Sequence, residues 1–398
     1  MDTEGALSGI RVLDLTRIMA GPLGTMILAD MGADIIKIER PGVGDDTRQM
    51  GPFQNGASMY YITHNRNKKG ITLNLKVPEG KRLFLEMVKK ADVVVENYRA
   101  DTMDKLGLGY DVLKDVNPRI IYACVSGFGH YGRYKDRAGY DIIAEAMSGM
   151  MYTTGWPDSG PTRCGIAMGD VLAGLWMTIG VMGALEARNR TGKGQKVDVA
   201  LVDASVSAMA TASMFYLSKG TIPQRCGNRS STLYPFDSFA CSDGDCVISA
   251  SSNKLWKILC ALIGRPELAE DERYGRVRDR VEHHDEVKQI IEVWSRTKTV
   301  TDVVAACEDA GIPVSPINDI GQVCRDPHIA IDREMMVQQH HPVAGDVTVT
   351  GSPLKFSDTP VQIKTVAPLL GQDTEQVLRD VLGLDADQVA KLKEDKII

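Results

Sequence analysis

The sequence predicts an α/β protein built on an open parallel sheet. Short apolar segments alternate with segments of helical spacing through the first 200 residues. Buried strands alternating with helices are the pattern of a parallel sheet. The length of 398 residues allows about two to three domains. Hydrophobic residues make up 43% and charged residues 25%, an ordinary globular balance that excludes disorder or coiled coil as the main class.

Taken in order, Ile10–Leu15 is a short apolar strand, and Ala20-Gly21-Pro22 punctuates a turn before a helix over Leu23–Met31. Ala33–Glu39 is a second buried strand. Pro78 opens an amphipathic helix over Glu79–Lys90, because proline suits a first helical turn. Ala91–Glu96 and Ile120–Ser126 are further strands. Asp141–Met151 and Val171–Arg188 are helices, and Lys196–Val202 is a strand. Asp203 is placed to cap a helix running through Ala204–Met214. Residues 219–235 hold Gly220, Pro223, Gly227, Asn228 and Pro235 with no period, the texture of a connection. A smaller α/β segment follows, with a strand at Val247–Ala250, helices over Lys254–Ile263, Val281–Ser295 and Thr301–Ala310, and an extended Ile312–Ile317. In the tail, Val347–Thr350 and Leu354–Phe356 are extended, and Gly371–Leu384 and Ala386–Lys393 are helical.

The net charge is −6. Proteins that coat nucleic acid or anionic membranes are usually basic, so neither is an expected partner. The 8 cysteines form no CxxC pair and fit reduced, buried thiols in a cytoplasmic chain. The apolar run Val171–Leu185 is shorter than the ~20 residues of a membrane span and reads as a core helix.

Asp170 is the most pointed residue. It sits where the small residues of GIAMGD meet an apolar helix. By residue type alone it is a helix cap; the competing role is a carboxylate nucleophile in a semi-apolar pocket, with Gly169 allowing close approach. Asp141, after Tyr140, is likewise a candidate cap. Arg17, Arg40, Lys68, Lys69, Lys76 and Lys105 fall near strand ends of the first domain and together suit a local phosphate site. Gly127, Gly129 and Gly132 have dinucleotide-fingerprint spacing but run into a polar loop. No histidine pair has zinc spacing, and no Gly-x-Ser-x-Gly elbow or phosphate-binding P-loop motif is present.

As an ordered set, these segments resemble the class III CoA-transferases, the carnitine/bile-acid-inducible family that includes formyl-CoA transferase. The opening LSGIRVLDLTRIMAGPLGTMILADMGADIIKIERPGVGDDTR, ADVVVENYR (91–99), YDIIAEAMSG (140–149), GDVLAGLWMTIGVMGALEARNRTGKGQKVDVALVDA (169–204) and AGIPVSPI (310–317) carry the likeness. It extends from Leu7 to near the C-terminus.

The resemblance implies a discontinuous large Rossmann-like domain from both chain ends (1–204 and 326–398), a linker over 205–230 and a small α/β domain over 231–325. It implies an interlocked homodimer. It places the catalytic carboxylate on Asp170, supported by Tyr140, Asp141 and Gly169. It assigns CoA contacts to Arg17, Arg40, Lys76, Asn97, Tyr98 and Lys105. The implied activity moves CoA from an acyl-CoA thioester to a small organic acid, dicarboxylates included, through covalent aspartyl intermediates. CoA is thus a substrate, with no permanently bound cofactor or metal. Met19 and Met50 stand where formyl-CoA transferases have Gln and Trp, so the resemblance does not identify formyl-CoA as the donor. The same superfamily contains 2-methylacyl-CoA racemases, the alternative reading. Their proton-shuttling histidine corresponds to Tyr140, and a phenol with a reference pKa of about 10 is a poor two-way proton carrier near neutrality.

Overall fold

A computed structural model describes residues 4–398. Six parallel strands form the main sheet: β1 (Arg11–Asp14), β2 (Asp34–Glu39), β3 (Lys68–Thr72), β4 (Val93–Glu96), β5 (Ile121–Ser126) and β6 (Lys196–Ala200). Their order is β3-β2-β1-β4-β5-β6. The strands are apolar on both faces because helices cover both. Leu13, Ile36, Ile71 and Val94 point into one core with Phe84 and Met87 of α3 (Pro78–Val88) and with Leu378, Val381 and Leu392 of the C-terminal segment. Val12, Ile35, Val93 and Ile121, offset by one residue, enter a second core with α1 (Ala20–Asp30) and α7 (Met168–Thr191). This alternation fixes the register, since a one-residue slip would exchange the two faces.

Between β1 and β5 the chain also forms α2 (Met59–His64), α4 (Thr102–Leu106) and α5 (Tyr110–Val116). After β5 come α6 (Asp141–Ser148), then α7, and after β6 come α8 (Leu201–Ala208) and α9 (Ala210–Lys219). Helices α1 and α7 meet backbone to backbone. A Cβ on Gly24 would lie 2.2 Å from Met177 Cε and 2.8 Å from the Gly174 carbonyl oxygen, so glycine is required there. Among the described residues α7 is the one helix long and apolar enough to cross a membrane by length and composition. One of its faces packs into the core through Ala173, Met177 and Val181. Leu175, Trp176, Ile179 and Met182 remain exposed.

Contacts divide the chain into two units: Met1–Met150 with Arg163–Leu217 and Pro327–Ile398, and Met151–Thr162 with Ser218–Asp326. Residues 205–219 are helical, and those up to Leu217 belong to the first unit. The second unit holds an antiparallel sheet of β7 (Phe236–Ala240), β8 (Asp245–Ser249) and β9 (Val314–Pro316). Trp256 and Leu259 of α10 (Asn253–Leu262), Val287 and Ile291 of α11 (His284–Ser295) and Val303 of α12 (Val300–Asp309) pack against it. In the tail, β10 (Met336–His341) pairs with β11 (Gly345–Thr350), and α13 (Ala386–Glu394) ends the chain.

Several local expectations differ. Strand β3 is absent from the sequence reading because its sequence, KKGIT, opens on two lysines. Lys68 is buried there against Asp14 at 3.1 Å. Asp203 does not cap a helix: α8 begins at Leu201, putting Asp203 inside its first turn with no side-chain cap. Leu354–Phe356 forms no strand, and 371–384 shortens to helical turns over Thr374–Leu382.

Candidate active site

The strand order reverses between β1 and β4. In open α/β sheets the crevice beyond the carboxyl ends of such strands is where ligands bind. A cavity of ≈ 190 Å³ lies there, lined by the loop after β1 (Arg17–Ala20), the segment after β4 (Asn97–Ala100), Tyr140 and Asp170. A second cavity of ≈ 340 Å³ runs past Arg40, Lys76 and Thr102. The two share Arg17, Asp46 and Tyr98.

The wall after β1 is held from beneath. Buried Asp14 accepts from the Thr16 backbone N–H at 2.8 Å, and Lys37 Nζ donates to the Thr16 carbonyl at 2.8 Å and to Asp45 at 3.0 Å. Burial pushes the Asp14 carboxyl up, but Lys68 and Lys37 outweigh it and hold the group below its usual range. Asn97 clamps the next residue at both ends: its Oδ1 accepts from Arg17 N at 2.8 Å and its Nδ2 donates to Arg17 O at 2.6 Å. Ile18 follows with φ 68°, a left-handed conformation that is costly for a β-branched residue. The polar network over-determines this strained turn, and strain of this kind gathers at functional sites.

Asp170 lies in the first turn of α7, and the cap position is Ala167. The capping is done by Asp141 instead. Its Oδ1 accepts from Gly169 N at 2.8 Å and stands 3.4 Å from Asp170 N. Gly169 is packed closely: a Cβ there would come within 3.2 Å of Asp141 Oδ1 and of Ser205 Oγ. Among the described residues no donor reaches the Asp170 carboxylate. Burial, and then the charge of Asp141, push this group up to about 7. A carboxylate with no hydrogen-bond partner is poorly stabilised as an ion and correspondingly available to react.

The structure gathers most of the sequence-predicted residues. Arg17, Asn97, Tyr98, Tyr140 and Asp170 line the first cavity, and Arg40 and Lys76 the second. Lys105 is exposed on α4 beside the lining residue Leu106 and lines neither cavity. Lys68 is buried in the network under the loop, and Lys69 pairs with Asp34 at 2.7 Å, so neither faces the crevice. The 127–132 glycines form no strand-to-helix turn; the loop is pinched where Gly127 meets Gly139.

Sequence reasoning missed Lys135, Arg137 and Tyr60. The first two line the cavity from the loop between Gly132 and Gly139. The Arg137 guanidinium stacks 4.6 Å from the Tyr134 ring centroid. Tyr60 on α2 has its hydroxyl raised by burial and then by Asp170, which places it within electrostatic reach of that carboxylate. The only local signal for Lys135 and Arg137 is a run of three cations, with Arg133, between Gly132 and Gly139; Tyr60 has none.

An α/β crevice at a topological switch point, with several cations and one unpartnered carboxylate, defines an enzyme-type site for an anionic ligand. The family model described as CoA-transferase family III matches residues 7–374, and the chain belongs to that family. It is 37% identical to the succinyl-CoA:glutarate CoA-transferase of Mus musculus, covering 98% of this chain and 90% of that one. It is 41% identical to the acetyl-CoA:oxalate CoA-transferase of Acetobacter aceti, covering 89% and 90%. The crystal structure of a CAIB/BAIF family protein from Brucella suis superposes with a TM-score of 0.85 at 36% identity, covering 95% of this chain and 100% of that one.

Proposed function

We propose that the protein transfers CoA from an acyl-CoA thioester to a small dicarboxylic acid, with Asp170 as the covalent nucleophile. The observation that carries this reading is the unpartnered Asp170 carboxylate in a cavity that Arg17, Arg99, Lys135 and Arg137 also line. Its attack on the thioester carbonyl breaks the C–S bond. This forms an aspartyl-acyl anhydride and releases CoA thiolate. The thiolate then attacks the aspartyl carbonyl, leaving an aspartyl-CoA thioester and the free donor acid. The acceptor carboxylate repeats the two steps in reverse order and departs as its CoA thioester. The reaction is nearly thermoneutral, so the protein's task is to supply the nucleophile and limit hydrolysis. Arg40 and Lys76 suit the nucleotide phosphates, and the cations around Asp170 suit the second carboxylate of a dicarboxylic acid. Names of relatives acting on glutarate and oxalate support the acceptor class.

The working form proposed is a homodimer. The exposed apolar side chains of α7, including Trp176 and Ile179, support burial against a second copy. Free cysteines throughout the described residues fit a reducing compartment.

The test is hydroxylamine trapping during turnover, read by peptide mass spectrometry. A hydroxamate on Asp170, with Asp170→Ala inactive but still binding CoA, supports the mechanism; full activity in Asp170→Ala sinks it. Solvent deuterium entering the α-carbon without acceptor acid would instead indicate a racemase.

A further inference from the structure

We propose that Glu96, which lines neither cavity, is a positioning residue for this site: it sets the Asn97–Tyr98 wall, and its hold follows the protonation of the Glu96–His130 pair. The proposal rests on reading the two cavities as the acyl-CoA site. Glu96 ends β4, with its side chain 1% exposed. Its Oε2 accepts from the Tyr98 backbone N–H at 2.7 Å, and its Oε1 accepts from the Tyr122 hydroxyl at 2.9 Å. Tyr98 lines both cavities, and neighbouring Asn97 clamps Arg17. One buried carboxylate therefore anchors the segment on which the crevice wall depends.

The third group facing Glu96 is His130. Its side chain is 8% exposed, and its Nε2 points at Glu96 Oε1 from 3.5 Å without a made hydrogen bond. Lys196 Nζ lies 3.2 Å from Nδ1. An ammonium only donates, so Nδ1 accepts and the ring proton sits on Nε2, facing the carboxylate. Cys124 Sγ completes a cluster whose ligand-type atoms lie within 4.8 Å of one another. A metal would need the lone pair at Nε2 and an acceptor behind Nδ1. With Lys196 at Nδ1 and the proton on Nε2, the polarity at both nitrogens is the opposite, so the cluster reads as a close Glu96–His130 contact and not as a metal site.

Burial raises the Glu96 carboxyl to about 7, against the opposing bonds from Tyr98 N–H and Tyr122 and the charge of Lys196; Asp198 adds to the rise. Burial and Lys196 keep His130 below its usual value, although Asp198, Asp104 and Asp101 also face it. The pair thus gains or loses a proton near neutrality. Ionised, Glu96 makes a charge-assisted bond to Tyr98 N–H; protonated, it offers a weaker neutral acceptor.

The experiment is calorimetric binding of free CoA to the full-length enzyme and to Glu96→Gln between about pH 6 and about pH 8.5. Gln keeps an oxygen for Tyr98 N–H but cannot ionise. In Glu96→Gln the CoA phosphates and Asp170 still titrate, as they do in the wild type, so the difference between the two proteins reports Glu96. Across this window the wild type is expected to gain about fivefold more in affinity than Glu96→Gln does. KM for the acyl-CoA should follow the same difference while kcat at saturation does not. A CoA-binding Glu96→Gln with the wild-type pH dependence overturns this proposal alone. An enzyme that binds no CoA at any pH overturns the proposed function with it. His130→Leu, a second route if Glu96→Gln fails to fold, should move the binding midpoint to higher pH, and an unmoved midpoint overturns the proposal. Tight one-to-one zinc uptake lost in Cys124→Ser would also overturn it, assigning the cluster to a metal.

Discussion

Replacing Asp141 by asparagine tests how the structure sets the ionisation of Asp170. Burial and then Asp141 push Asp170 up to about 7, so the proposed nucleophile gains or loses its proton near neutrality. The Asp141→Asn side chain would keep an oxygen for Gly169 N–H, now 2.8 Å from Asp141 Oδ1, and lose only the charge. As an order of magnitude, two like charges ~6 Å apart in an effective dielectric of about 20 would repel by ~2.8 kcal/mol, or about two pH units. Partial solvent access to Asp170 reduces this to about one unit. The expected result is that the acid limb of kcat/KM for the acyl-CoA moves about one pH unit lower in Asp141→Asn. The substitution should also cost about 1 kcal/mol of stability, because a charged cap becomes a neutral one. Initial rates of thioester exchange, followed by mass spectrometry across the pH range, measure the midpoint. An unmoved midpoint, or one moved to higher pH, refutes the coupling.

Two further outcomes follow from the same geometry. Folding holds the Asp170 proton more tightly than the free side chain does, about 7 against 3.8, so its contribution to stability is full at low pH and lost as pH rises through 7. Asp170→Asn should therefore unfold later in urea by about 2 kcal/mol at pH ~8 and show no gain near pH ~4; equal gains at both would refute this. Ile18 holds φ 68°, so Ile18→Gly should add about 1 kcal/mol in the same assay while weakening CoA binding, and a loss of stability would show that its side-chain contacts outweigh the strain.

The strands legible in the sequence were those whose burial needs no partner. DIIKIE and VVVE are apolar on their own terms, and Lys37 within the first lies buried under the site. KKGIT escaped because its burial depends on Asp14, far away in the chain. Asp170 stood out through residue type and the ordered resemblance, but its cap did not. Asp141 serves a helix 29 residues further on, and local spacing favours capping its own helix. Lys135 and Arg137 reach the crevice only through tertiary placement, and the links of Tyr60 to Asp170 and of Glu96 to the Tyr98 wall are likewise tertiary, Glu96 looking like an ordinary strand end.

The way the C-terminal segment closes the first unit has a consequence for synthesis. Gly70 of the edge strand donates to Asp373 Oδ2 at 2.7 Å, a Cβ there would strike Pro368, and Asn74 N donates to Ile397 O at 2.8 Å. Leu378, Val381 and Leu392 fill the core beneath. A nascent chain on the ribosome lacks all of these until residues 368–397 emerge. Meanwhile it carries an uncovered sheet edge and an unfilled core, a state prone to wrong pairing. The second unit, most of it contiguous from Ser218 to Asp326, has nearly all of its residues earlier. Truncation near the C-terminus should therefore cost this protein its solubility during translation, long before any substrate is met.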